Sequence, residues 1–157
     1  MGIELTDQEI SRLTQEKKVL PGNFRQLLRV KPKRSSSESD LVIVGENSNE
    51  FRLILRQNNI NPLDFSVILA YKPKNVNQWF RLRRYNGKSH EHGNKLEKER
   101  FYDFHIHIAT DRYQKLGARE DAYAEPTDRY SSRTGALDCM FQDCGFDIPS
   151  DPQGQLF

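Results

Sequence analysis

The segment EFRLILRQ (50–57) alternates in character: Phe51, Leu53 and Leu55 fall on one side, Arg52, Ile54 and Arg56 on the other. A period of two is the mark of a strand with one face buried. The segment FSVILAYK (65–72) repeats the pattern, with Phe65, Val67, Leu69 and Tyr71 together, and NNINP (58–62) between the two reads as loop. Upstream, LVIVG (41–45) is a short apolar strand closed by the turn ENSN, and FRQLLRVKPK (24–33) reads as a strand stopped at Pro32. Downstream, 79–85 and 101–110 continue the alternation. Strands this closely spaced imply an antiparallel sheet with short connections.

The ends read differently. Thr6 with Glu9 three residues on is a capping box, and Ile10 and Leu13 follow at helical spacing, so a helix is expected over 6–19, ended by Pro21-Gly22. Residues 34–40 (RSSSESD) and 125–130 read as loops, and 111–118 as a helical turn. In 131–143, Ala136, Leu137, Met140 and Phe141 recur at helical spacing, with Gly145 as a stop. The expected fold class is α+β: a curved antiparallel sheet of about five or six strands flanked by an N-terminal and a C-terminal helix. Residues 1–146 would form a single domain, with 147–157 a frayed tail.

Composition narrows the function classes. The chain has 157 residues, 36% of them apolar and 29% charged, with a mean hydropathy of −0.81. That describes one small domain with a thin core. No run approaches the roughly 18 apolar residues of a membrane span. The opening MGIELTDQEI lacks the basic and apolar regions of a secretory signal, and a cytoplasmic protein is expected. Cys139 and Cys144, five apart, make neither a disulfide framework nor a zinc ribbon, which fits a reducing compartment. Residues 72–100 hold nine Lys or Arg against three acidic residues, whereas 117–157 hold three against eight. The basic middle either meets the acidic end on folding or offers a positive surface to phosphate groups.

The four histidines form two pairs, His90/His92 and His105/His107. Residues i and i+2 of a strand share a face, so His105 and His107 stand side by side, away from Tyr102, Phe104, Ile106 and Ile108. In 79–85, Trp79, Arg81, Arg83 and Tyr85 share one face by the same rule. If 79–85 and 101–110 pair, that face joins the histidines, and the connecting segment brings His90 and His92.

Three functions compete with a purely structural role for these side chains. A divalent transition metal would be held by His90, His92, His105 and His107, with Asp103 or Glu97 as further ligands. Metal-free acid–base chemistry on a phosphodiester would use His105 and His107 as the catalytic pair. Arg81 and Arg83 would then bind phosphate, Tyr85 would position substrate, and Tyr85, Trp79 or Tyr113 would stack on a base. Third, the basic face would bind RNA or a protein partner without catalysis. No motif that reads DNA sequence is present. His90-x-His92-x4-Glu97 partly resembles the cupin metal motif, but the leading glycine and the second cupin motif are missing. The His-x-Thr pairs of two-histidine phosphoesterases are absent.

At RYNGKSHEHGN (84–94) and FHIHIATDRYQKLG (104–117) the chain resembles a family of uncharacterised bacterial proteins of similar length. Over about 80–110 it loosely resembles small RNA-directed toxins of toxin–antitoxin loci. The first resemblance implies no activity; the second implies an RNA target and a defence or mobile-element context. The leading expectation is a small bacterial protein acting on RNA or a nucleotide phosphodiester, with a partner-binding domain and a metal-binding protein as alternatives.

Overall fold

A computed structural model describes residues 3–149. Seven strands form an open antiparallel sheet, and four helices accompany it. In chain order the elements are α1 (Asp7–Gln15), β1 (Lys18–Val19), α2 (Phe24–Leu27), β2 (Lys31–Pro32), β3 (Ser36–Val44), β4 (Glu50–Asn58) and β5 (Phe65–Lys72). They continue with β6 (Phe80–Asn86), β7 (His92–Asn94), β8 (Glu99–Phe101), β9 (His105–Ile108), α3 (Asp111–Lys115), β10 (Ala124–Pro126), α4 (Arg133–Asp143) and β11 (Phe146–Asp147). The main sheet runs β10-β9-β6-β5-β4-β3-β2. Two small sheets stand beside it: β1 with β11, parallel, and β7 with β8, antiparallel.

The alternation of 50–57 sets the centre of the core. Phe51, Leu53 and Leu55 pair across to Tyr71, Leu69 and Val67, and five of these six side chains are buried. Helices α1 and α4 lie against β6, and α4 also against β5, so Met140 and Phe141 close the core from above. The capping box forms as expected: Thr6 Oγ1 accepts from Glu9 N–H, and Glu9 Oε1 accepts from Thr6 N–H. No helix among the described residues is long and apolar enough to cross a membrane.

Several boundaries differ from expectation. Helix α1 stops at Gln15 rather than 19, because Lys18–Val19 leaves to pair with Phe146–Asp147. Asp147, expected in a frayed tail, therefore sits in a strand; residues 150–157 lie outside the described residues. The Ser-rich 36–40 is strand, not loop, since the nine-residue β4 offers a backbone partner to each of Ser36–Val44. Tertiary pairing here overrides weak local propensity. Residues 24–27, read as strand, form one helical turn that buries Phe24 and Leu28 four apart. The short edge strands β2 and β10 bring the main sheet to seven.

One irregularity decides the functional surface. Leu69 pairs with Arg83, but Ala70 pairs with Arg81, which leaves Leu82 as an extra residue in β6. This β-bulge reverses the side-chain alternation beyond it. Arg83 and Tyr85 consequently face the helix-backed core, whereas Arg84 shares a face with Arg81.

Candidate metal centre

Strand β9 lies between β6 and β10, with Ile106 and Ile108 packed in or against the core. His105 and His107 point to the opposite face, as their spacing predicts. That face is covered: residues 87–104 fold back over it, carrying the β7–β8 hairpin. His105 and His107 are left only 2% and 4% exposed.

The buried side chain of Asn94 clamps the hairpin to β10. Its Nδ2 donates to the Ala124 carbonyl at 2.6 Å, and its Oδ1 accepts from the Ala124 N–H at 2.9 Å. The clamp places His92 beside the β9 histidines. The His92 ring centroid is 4.9 Å from that of His107 and 5.3 Å from that of His105, and His105 and His107 are 5.0 Å apart. One ligand nitrogen from each ring falls within 4.8 Å of the others. Phe101 walls the cluster, 5.4 Å from His92 and 5.8 Å from His105 between ring centres.

The hydrogen bonds assign the tautomers. His105 Nδ1 lies 2.8 Å from the Asp103 carbonyl, and His107 Nδ1 2.6 Å from the Asp121 carbonyl. A carbonyl only accepts, so both Nδ1 atoms carry hydrogen and both Nε2 atoms hold a lone pair. His92 Nε2 lies 2.8 Å from Asn94 Oδ1, so it donates and leaves the lone pair on Nδ1. Each ring is thus oriented through one nitrogen by an oxygen, the arrangement that presents the other nitrogen to a metal. His105 Nε2 is buried without a hydrogen-bond partner.

Electrostatics points the same way. Burial, the neighbouring imidazoles and Arg84 bring His105 down to about 4, although the Asp103 carbonyl opposes the shift. Burial, Arg84 and the two other imidazoles bring His107 down to about 2 against the Asp121 carbonyl. Both rings are therefore neutral near pH 7. Neutral imidazole is the ligand form; a general acid needs the protonated one.

The other expected site residues are only partly gathered. His90 is exposed on the rim, 6.5 Å from His105 between ring centres. Glu97 is occupied by Tyr113 Oη and Arg112, and Asp103 contributes its carbonyl oxygen to His105. Arg81 keeps to the histidine side of the sheet, where its Nε lies 3.4 Å from Asp121 and 3.5 Å from Glu120. Trp79 precedes β6 and stacks under Arg52 and Lys72, 5.8 and 6.0 Å from its ring centre.

Arg83 and Tyr85, expected beside the histidines, lie on the other face because of the bulge at Leu82. There Arg83 Nη1 donates to Tyr85 Oη at 3.3 Å, and Tyr85 Oη donates to Asp143 at 2.5 Å. Arg129 holds both oxygens of the same carboxylate at 2.9 Å. These contacts tie β6 to α4.

Three participants carry no signal in the sequence. Asn94 sets the His92 ring, Arg84 replaces Arg83 beside His107, and the wholly buried Asp121 accepts from Arg84 Nε at 3.1 Å. A bulge and a loop crossing are needed to bring them together, and neither has a local pattern. Compared with known protein families, curated proteins and solved structures, the chain matches none.

Proposed function

We propose that this is a metal-binding protein whose centre is His92, His105 and His107. The observation that carries it is the tautomer pattern: three adjoining imidazoles, each with one nitrogen tied to an oxygen and the other bearing a lone pair. The buried His105 Nε2 is an acceptor without a donor, a polar deficit that a cation shared with His107 and His92 removes. An all-imidazole set suits a borderline divalent ion, of which zinc is the tetrahedral case. Nitrogen–metal bonds of about 2.0–2.1 Å would draw the ligand atoms to about 3.4 Å apart. Asp121 pairs with both Arg84 and Arg81 and offsets part of their positive charge beside the site.

Metal-free acid–base chemistry is less well supported, because burial holds both β9 histidines neutral. Phosphate binding by the basic face is also less well supported. Within 72–100, Arg81, Arg83, Arg84 and Arg100 pair with Glu120, Asp143, Asp121 and Glu91, so all four arginines of the positive run are answered by carboxylates.

The test is the metal content of the purified, untagged protein by mass spectrometry, beside the His105→Ala/His107→Ala variant. About one equivalent of metal in the first and none in the second is expected. Absence of metal from both, after incubation with zinc, manganese, iron and nickel salts, would overturn the proposal.

A further inference from the structure

Residues 87–104 are an unusual piece of this fold. Only Phe104, at its end, packs against the core, on Phe65 and Tyr130; no apolar side chain of 87–103 does. Leu96 and Tyr102 are exposed by 43% and 52%, and Phe101 is half-buried. The segment is held instead by polar contacts: the Asn94 clamp on Ala124, Glu97 with Tyr113 and Arg112, and Leu96 N–H on Tyr113 Oη. Segments with few buried apolar contacts open at low cost. Yet two of the chain's four histidines lie here, facing the other two on β9.

His90 completes the picture. Its Nδ1 is 3.0 Å from Ser89 Oγ; with that hydroxyl as the acceptor, Nε2 bears the lone pair of a ligand atom. Its ring is 6.5 Å from that of His105, against 5.3 Å for His92, so a small side-chain and loop movement brings it into range. The three inner histidines supply three of the four ligands that a tetrahedral ion takes, and His90 is the remaining imidazole beside them.

We propose that His90 is the fourth ligand and that the ion acts as a latch, joining the 87–104 segment through His90 and His92 to the sheet through His105 and His107. This rests on the metal-binding reading above. The inner three ligands set stoichiometry. The exposed His90 is the ligand that leaves first, and its departure gives the ion its way in and out. With the ion gone, the hairpin is held by its hydrogen bonds to β10 and α3 and by the Phe104 contact, and it opens more often.

Trypsin reads the latch directly, since Lys95, Lys98 and Arg100 lie in the hairpin. The full-length protein is digested with zinc at 100 times its Kd and again after chelation. Cleavage at these residues is expected to slow about 100-fold with zinc, because binding to the closed form alone suppresses opening by that factor. His90→Ala is expected to keep one zinc per chain, bind it at least tenfold more weakly, and lose protection as zinc falls. Far-ultraviolet circular dichroism verifies that the variant's sheet is intact. Unit zinc binding with equal cleavage in both states would overturn the latch while leaving the metal site standing. An unchanged affinity in His90→Ala would overturn the fourth ligand alone. No zinc binding by the wild-type protein would overturn both proposals.

Discussion

Two buried polar clusters lie on opposite sides of the same sheet. On the helix-backed side, Lys18 is fully buried, and its ammonium donates to the carbonyls of Leu13, Thr14, Glu16 and Cys144 at 2.7–3.2 Å, 4.4 Å from the centre of the Phe51 ring. It collects the free carbonyls at the C-terminal ends of α1 and α4, where a cation is favoured. On the hairpin-covered side, three imidazoles offer ligand nitrogens within 4.8 Å of one another, and His105 Nε2 has no hydrogen-bond partner. The first cluster carries its own positive charge and is complete as the chain folds. The second has no such charge of its own, and on the proposed reading it is the half that takes an ion.

Acid should separate the two sides most strongly. His105 and His107 have folded values of about 4 and about 2, below the ordinary 6.5. Below pH 6.5 the unfolded chain therefore binds more protons than the folded one, and stability present in full above that pH is lost as pH falls. The loss runs to about pH 4 for His105 and about pH 2 for His107, at up to about 1.4 kcal/mol per pH unit for each imidazole. Lys18, brought down to about 8 by burial, stays protonated in both states throughout this window. The urea midpoint of chelated protein should fall steeply between pH 6.5 and 4.5; a flat profile would contradict the burial of neutral rings.

Lys18→Met attacks the complete cluster. Four carbonyls, three of them in buried hydrogen bonds, lose their donor, and a loss of about 3 kcal/mol is expected in urea unfolding. Zinc stoichiometry should be unchanged, and a loss of zinc would show that the two clusters are not separable. Asn94→Ala attacks the other side: without the oxygen that orients His92, zinc affinity should drop about 10–100-fold in a competition titration. An unaltered affinity would mean that His92 needs no such support. The smallest effect is expected from Tyr85→Phe, which removes one hydrogen bond to Asp143 while Arg129 still holds that carboxylate. About 1 kcal/mol of stability should be lost, with zinc affinity intact. A large loss of zinc would return Tyr85 to the histidine side of the sheet.

The sequence showed the fold through its strongest alternations. Phe51, Leu53 and Leu55, then Val67 and Leu69, read correctly because each side chain's period matches its burial. Ser36–Asp40 did not, because their strand is imposed by β4 across the sheet. The histidine site was legible as two i,i+2 pairs, and the shared face of His105 and His107 followed from the pleat. Arg83 and Tyr85 were misplaced because one extra residue, Leu82, inverts every side chain after it, and a bulge of this kind has no signature in β6 itself. Asn94 and Asp121 were invisible for a related reason: their importance comes from what the folded loops bring within 3 Å of a ring nitrogen.

Cobalt(II) titration of the metal-free protein tests the central claim most directly. One equivalent should produce the intense visible bands of a tetrahedral cobalt site with nitrogen ligands and no thiolate charge-transfer band, and His92→Ala should abolish them. A featureless spectrum, or bands that survive in His92→Ala, would contradict a centre built on His92, His105 and His107.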